Sequence, residues 1–530
     1  MASRLRRYLA AALARAAGPR AADLPEPGKV GLEGAVLLVL TALVALLVLA
    51  SIQFSQPTLI GGDGYYHTRL SAILAEQGHL DRFPWTQASF HRDHFVDKEY
   101  LFHWLLVPFL GQGLELLPKC FAVLMGALLI CLLAWVMLRL SVPLPWLWLL
   151  VLFSAGILFF FRLSLVRPHL LSIPLAVLAG YLYTRERVGW AFALALLFPL
   201  CYTAAHLLPV LACVYAVACL LVGRAFPWRL VAAVLLGTLL GLALHPHRAN
   251  LPAMWYIQNV EVVANAWRLE PIMGSEFVSP TGRALVWDVG AVFLGGLATC
   301  GAFLLLGARA SLRTVFFFLA SCGFLLMFLV ITRLVEYWVP FSVLFMASAA
   351  ADLRASGFDL RAWMQRHRLG GALLVCLVLG GLTFQSARTL IGSQTKVAIE
   401  KQAHRVLDFH SEALFLAGRV PAGQTVFTCS WDSFPFLFHA APQLRYLVAL
   451  DPTFMLAQDA ERFDLWRRIG EGLVPDAAEQ IPAAFGARWV FVEMTPGCDG
   501  LRRQASADPR FALELAGPDA WIFSIPGGAP

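Results

Sequence analysis

Charged side chains are scarce in this chain. Asp, Glu, Lys and Arg make up 14% of its 530 residues, where a soluble domain carries about 25%. With 59% hydrophobic residues and a mean hydropathy of +0.69, this shortage excludes an ordinary water-soluble protein. The 38 Phe and 16 Trp exclude disorder. Glycine shows no collagen period, and ten cysteines in 530 residues are too few for a disulfide scaffold. There is no CxxC pair and no Cys/His zinc spacing, so a structural zinc site is not indicated. GxxxxGK[ST] and a strand-bound GxGxxG are also missing, which argues against cytosolic nucleotide chemistry. What remains is a polytopic membrane protein.

Long apolar runs are present in number. A spanning helix needs about 20 mostly apolar residues, and stretches of that kind lie near 33–52, 119–140, 144–161, 167–184, 189–205, 207–223, 228–245, 284–306, 312–331, 335–351 and 370–390. The stretch 101–117 is broken by His103, Pro108, Gln112 and Glu115 and reads as a helix that does not cross. Eleven spans then place Arg139, Arg185, Arg187, Arg224, Arg229, Arg309, Arg313 and the 354–368 cluster on the cytoplasmic side with the basic N-terminal arm. Thirteen is the alternative count, if two further short crossings are present. The expected architecture is mainly α. It has a cytoplasmic arm (1–32) leading into an uncleaved signal anchor, a transmembrane domain (33–391) with outer loops 53–100 and 246–283, and an α/β extracytoplasmic domain (392–530). A bacterial inner membrane with a periplasmic tail fits this layout.

Charge divides along the same line. Residues 392–530 hold 12 Lys+Arg against 16 Asp+Glu, and the first 391 residues hold 29 against 18. The basic excess therefore lies among the apolar segments, where it marks topology and not nucleic-acid binding. Arg162, Arg167 and Arg333 depart from the pattern, each at an outer helix end. Charge is costly beside a membrane, and three such arginines point to a phosphate-bearing ligand. Cys429 and Cys498, the two tail cysteines, can pair if the tail faces an oxidising compartment.

The first outer loop opens with Gly61-Gly62-Asp63-Gly64-Tyr65-Tyr66-His67-Thr68-Arg69. Glycines let a ligand approach the backbone around Asp63, and a helix beginning there brings His67 to the same face. With Gly78, Phe83, Pro84 and Trp85 downstream, this stretch resembles the first-loop motif of the oligosaccharyltransferase catalytic subunit, a GT-C membrane glycosyltransferase using lipid-linked sugar donors. Two further stretches are similar to the same family. Met273-Gly274-Ser275-Glu276-Phe277 matches its mobile-loop carboxylate motif, and Ser430-Trp431-Asp432 matches its Trp-Trp-Asp acceptor motif with Ser430 in place of the first Trp. Leu444–Thr453 also fits its strand-and-turn pattern.

The resemblance implies catalytic roles for Asp63 and Glu276, an acceptor contact at Trp431 and Asp432, and a divalent cation (Mg or Mn) with Asp63 among its ligands. The family's second acidic pair is absent: its place reads Arg162-Leu163-Ser164-Leu165-Val166-Arg167-Pro168-His169. Mg²⁺ and Mn²⁺ prefer oxygen ligands, which His169 does not supply. His67, Asp93, Asp97 and Glu99 are the loop's own candidates for an acceptor hydroxyl or a metal. Arg333, Arg167, His169 and Arg69 are the candidates for the donor phosphate. A sugar leaving a polyprenyl phosphate needs that phosphate's charge stabilised, and the acceptor needs a carboxylate to take its proton.

The expected activity is transfer of a sugar or oligosaccharide from a polyprenyl-phosphate-linked donor, at the outer face of the bilayer, to a protein, lipid or glycan. A non-catalytic assembly subunit of the same fold and a transporter of lipid-linked glycans are the competing classes. No internal repeat is visible, and the carboxylates lie in outer loops, both of which disfavour the transporter.

Overall fold

A computed structural model gives the structure of residues 30–111, 115–265, 279–402, 409–449 and 451–526. The chain forms two compact units, each drawn from three separate segments. One comprises Met1–Ser55, Cys120–Leu244 and Gly274–Val397; the other comprises Gln56–Lys119, His245–Met273 and Ala398–Pro530.

The first unit is helical. Among the described residues five helices are long and apolar enough to cross a membrane: Leu32–Gln53, Leu116–Arg139, Leu312–Val330, Thr332–Ala355 and Arg368–Val397. Pro145–Phe153 and Ile157–Leu163 meet at 90° and make a sixth if they act as one broken span. The other apolar stretches form the shorter helices His169–Thr184, Val188–Cys201, Leu207–Leu221, Trp228–Leu244 and Gly290–Leu306. All eleven stretches thus contain helix, while five or six reach full spanning length. The 90° bend falls at Gly156, whose φ of +94° suits glycine, and a Cβ there would lie 1.6 Å from the Asp288 carbonyl oxygen. Leu304, Leu305 and Leu369 are each more than 80% exposed, a surface suited to hydrocarbon and not to water.

Gly237 and Gly241 form a GxxxG pair that brings the backbones of Trp228–Leu244 and Val188–Cys201 together. A Cβ at Gly241 would lie 2.2 Å from the Leu196 carbonyl oxygen, and one at Gly237 2.5 Å from that of Phe192. Gly241→Leu is therefore expected to cost about 1–3 kcal/mol through overpacking, read as a lower melting temperature of the purified protein in detergent. An unchanged melt would show that this close approach does not stabilise the unit.

The second unit carries a four-stranded sheet of order β1-β2-β4-β3, with β1 Val426–Thr428, β2 Trp489–Glu493, β3 Ala512–Ala516 and β4 Ala520–Ser524. β1 and β2 run parallel, and the β2–β4 and β4–β3 pairs are antiparallel. Phe427, Val490, Val492, Phe463, Trp466, Ile481 and Phe523 fill the core, and Ala88 of the first loop belongs to it. The tail does not stand apart from that loop, because main-chain pairing joins them. Gln87 and Ala88 N–H donate to the carbonyls of Tyr446 and Leu447 at 2.7 and 2.8 Å, and Tyr446 N–H donates to Trp85 at 2.7 Å. Met254 and Ile257 add the third segment through a small cluster with Val96 and Phe454. The unit boundaries therefore differ from the linear division at residue 392, since buried backbone of the first loop finds its partners in the tail.

Candidate active site

Asp63 opens the helix Asp63–Gln77, where the helix dipole favours an acid. The start of this helix packs closely on the helix Phe434–Ala440, which follows the Trp431-Asp432 turn. A Cβ on Gly62 would meet the Phe436 ring at 3.2 Å. Tyr65 lies 4.8 Å from Phe436 and 5.1 Å from His439, centroid to centroid. Arg69 Nε donates to the His439 carbonyl at 2.8 Å and Nη2 donates to the same oxygen. Arg69, expected at a phosphate, thus caps the end of a helix.

Asp432 stays accessible to solvent, yet its carboxyl is pushed up to about 6 by the protein packed around it and then by the Asp63 charge. Glu493, at the carboxyl end of β2, is 1% exposed. Burial, helped by the Asp432 charge and opposed by hydrogen bonding to Ser433 and Ser430, raises its carboxyl to about 8. Its Oε1 has no hydrogen-bond partner among the described residues. The Cys429–Cys498 disulfide ties the turn after β1 to the segment after β2, and Glu493 N–H donates to Cys429 Sγ at 3.3 Å. Parallel strands bring their carboxyl ends to one edge, a common place for ligand sites. This explains how Glu493 joins the Trp-Asp turn, although only a lone acid after Trp489-Val490-Phe491-Val492 marks it in the sequence.

These values give a pH test. Glu493 folded holds its proton up to about 8, whereas unfolded it loses it near the ordinary 4.5. The raised pKa therefore lowers stability as pH rises from about 4.5 to about 8, by on the order of a few kcal/mol. Glu493→Gln should melt higher than the parent at pH 8 and match it near pH 4.5; equal melts at pH 8 would contradict the buried neutral acid.

Three other loop residues line up in a chain. His103 Nδ1 lies 2.7 Å from Asp97 Oδ1, and His67 Nδ1 lies 2.8 Å from His103 Nε2. All three side chains are buried, and Asp97 Oδ1 also accepts from Glu99 N–H at 3.2 Å. His103, legible in the sequence only as a polar break in an apolar stretch, is the middle of the chain. Glu99 is buried and its carboxyl is raised by desolvation, with Lys98 4.0 Å away opposing. Asp93 is exposed beside Arg92 and does not join them.

Three basic residues of the first unit meet at Glu336. Arg162 Nε donates to Glu336 Oε2 at 2.7 Å with the carboxylate fully buried, and Arg333 and His169 lie within reach of the same charge. The hydrogen-bonded partner of Glu336 is Arg162, 174 residues distant. His169 Nε2–H donates to the Arg162 carbonyl at 2.7 Å, which turns that nitrogen away from a phosphate or a metal. Arg333 Nη2 lies 3.5 Å from the Tyr202 hydroxyl, and Arg167 is half-buried.

Among the described residues no three His, Cys, Asp or Glu side chains are disposed to hold a divalent cation. His67, His103 and Asp97 direct their facing atoms at each other, and Glu493 holds a proton at neutral pH. Glu276 lies outside the described residues.

No family model matches the sequence, and no curated protein matches it. Solved structures do. The archaeal oligosaccharyltransferase AglB from Archaeoglobus fulgidus, in complex with an inhibitory peptide and a dolichol-phosphate, superposes with a TM-score of 0.57 at 12% identity, covering 94% of this chain and 75% of that one. ArnT from Cupriavidus metallidurans, bound to undecaprenyl phosphate, gives 0.55 at 15% identity over 92% of this chain and 97% of that one. The fold is that of the GT-C glycosyltransferases. Arabinofuranosyltransferase AftD from Mycobacteria matches at a TM-score of 0.53 and 14% identity, though 93% of this chain corresponds to only 40% of that one. The GT-C fold and the apolar helices together make the chain an integral membrane protein.

Proposed function

We propose that this chain is a membrane glycosyltransferase that moves a sugar or oligosaccharide from a polyprenyl-phosphate-linked donor to an acceptor at the outer face of the membrane. The carrying observation is that the carboxylates Asp63, Asp432 and Glu493 gather at one place, where burial raises Asp432 and Glu493 and the charges of Asp63 and Asp432 add to it. Carboxylates gathered in this way, two of them with raised proton affinity, suit a site that handles protons. The solved neighbours support the reading, since one of them holds a dolichol-phosphate and another an undecaprenyl phosphate.

In this reaction the acceptor attacks the anomeric carbon, the bond to the phosphate oxygen breaks, and the acceptor proton passes to a carboxylate. Asp63 is assigned that proton. Arg333 and Arg167 are assigned the departing phosphate, whose charge they stabilise. Arg69 Nε and Nη2 and His169 Nε2 bond to backbone carbonyls, so both residues are assigned structural roles first and the donor phosphate second. Asp432 and Trp431 are assigned to the acceptor, and Glu276 keeps its role as second carboxylate by resemblance. The disulfide and the inside-positive charge pattern support an extracytoplasmic second unit, in a bacterial inner membrane facing the periplasm.

The test is transfer from a labelled polyprenyl-phosphate sugar in proteoliposomes, comparing the parent with Asp63→Asn. Loss of transfer with folding intact supports the assignment. Equal transfer in both removes Asp63 from the chemistry. A parent inactive with every donor and acceptor class tried would favour a non-catalytic assembly subunit, a reading to which the Arg162–His169 stretch lends weight through its missing acidic pair.

A further inference from the structure

The helix Asp499–Ala507 has two sides of opposite character. Leu501 and Ala505 are buried in the core of the second unit, while Arg503, Ser506 and Ala507 are exposed. With Arg502 and with Trp521 of β4, these outward residues line an open hollow of about 340 Å³, a volume within the range of small-ligand sites. No acid is among the lining residues.

Two walls of the hollow are held in place. Arg502 Nη2 donates to Asp499 Oδ1 at 2.5 Å, and Nη1 lies 3.1 Å from Met494 Sδ. The same guanidinium stands 5.7 Å from the centre of the Trp521 ring, and half-buried Trp521 packs on the core beneath. The Ser506 hydroxyl donates to the Arg502 carbonyl at 2.8 Å, which leaves its oxygen as an acceptor. Arg503 makes no ion pair and no hydrogen bond among the described residues. Since Asp499 offsets Arg502, the charge of Arg503 is the one left over.

Each of these groups selects part of a ligand. The flat apolar indole suits the C–H face of a sugar ring. A guanidinium is a planar fork of donors that matches a carboxylate or a phosphate. Ser506 can take a ring hydroxyl. A lipid headgroup would engage the arginines and leave the indole without a ring to cover it.

The hollow also lies beside the acids of the candidate active site. Met494, which touches Arg502, follows Glu493, and Trp521 follows Ala520, the cross-strand partner of Glu493. Successive side chains of a strand point to opposite faces, so the hollow and Glu493 occupy opposite faces at one end of the sheet.

We propose that Arg502, Arg503, Ser506 and Trp521 form a binding site for an acidic saccharide, its ring stacked on the indole and its carboxylate or phosphate ester on Arg503. That this saccharide belongs to the glycan being transferred or extended rests on the glycosyltransferase reading.

The test is calorimetric titration of the full chain, in phosphatidylcholine nanodiscs, with tetragalacturonate, glucose-6-phosphate, maltotetraose and glycerol phosphate. At least one acidic sugar should bind, and the one that does identifies the acid; maltotetraose and glycerol phosphate should bind about tenfold more weakly or not at all. Trp521→Leu should weaken the acidic sugar about tenfold, the loss of one stacking contact. Arg503→Glu, a change at an exposed position, should weaken it at least as much without moving the melting temperature. Absence of binding by both acidic sugars overturns the site, as does equal binding of maltotetraose. Equal binding of glycerol phosphate overturns it in favour of lipid headgroups, and parental affinity in Arg503→Glu places the ligand elsewhere. If neither acidic sugar binds while Asp63→Asn loses transfer, the saccharide site fails and the glycosyltransferase reading stands. If an acidic sugar binds as described while Asp63→Asn keeps full transfer, the site stands and that reading fails.

Discussion

Asp63→Asn is expected to lower transfer by about 10²–10⁴-fold, the usual contribution of a positioned general base, while leaving the melting temperature nearly unchanged. Asn preserves the side-chain volume and the ability to accept a hydrogen bond at the start of the helix Asp63–Gln77. What it removes is the negative charge, worth about 0.3–1 kcal/mol at a helix N-terminus. A second signature accompanies the loss. The Asp63 charge helps to raise Asp432 to about 6, so Asp63→Asn should bring the Asp432 carboxyl down from that value. Carbon-13 titration of Asp432 in both proteins measures this directly. An unmoved Asp432 together with undiminished transfer would remove Asp63 from the site altogether.

Glu336→Ala is expected to have the largest effect on stability, a loss of about 3–5 kcal/mol. Arg162 is 9% exposed and its Nε donates to Glu336 at 2.7 Å, so truncation strands a desolvated guanidinium within the helical unit. The paired replacement Arg162→Leu with Glu336→Leu removes both charges and should recover most of the loss, since a buried ion pair replaced by apolar side chains is often neutral or stabilising. Thermal melts of the three variants in nanodiscs decide the matter. Equal melting of Glu336→Ala and the parent would mean that the pair does not hold the arginine.

The helical character of all eleven apolar stretches was legible because it depends on local composition. Hydropathy could not show where helices end or break, as at Gly156, where the conformation is dictated by the approach of Asp288 from 132 positions further along the chain. The same limit applies to the candidate site. Asp63 and Asp432 stand in recognisable motifs, whereas Glu493 reaches them only through parallel pairing of β1 with β2. His103 looked like an interruption because its partners, Asp97 and His67, lie six and 36 residues away, at no helical spacing from it. Arg162 and Glu336 likewise carry no shared local pattern. Individual polar residues could be singled out from type and position, but their pairings are long-range facts.

The interleaving of the second unit sets a schedule for biosynthesis. Trp85, Gln87 and Ala88 bond to backbone at Tyr446 and Leu447, which leaves the ribosome long after the first loop has done so. At about 5–20 residues per second, that loop waits on the order of tens of seconds for its partners. During the wait Phe83, fully buried in the finished protein against Phe434 and Phe438, has no tail to cover it. A ribosome that stalls before the tail therefore leaves behind a chain whose first loop lacks these backbone partners.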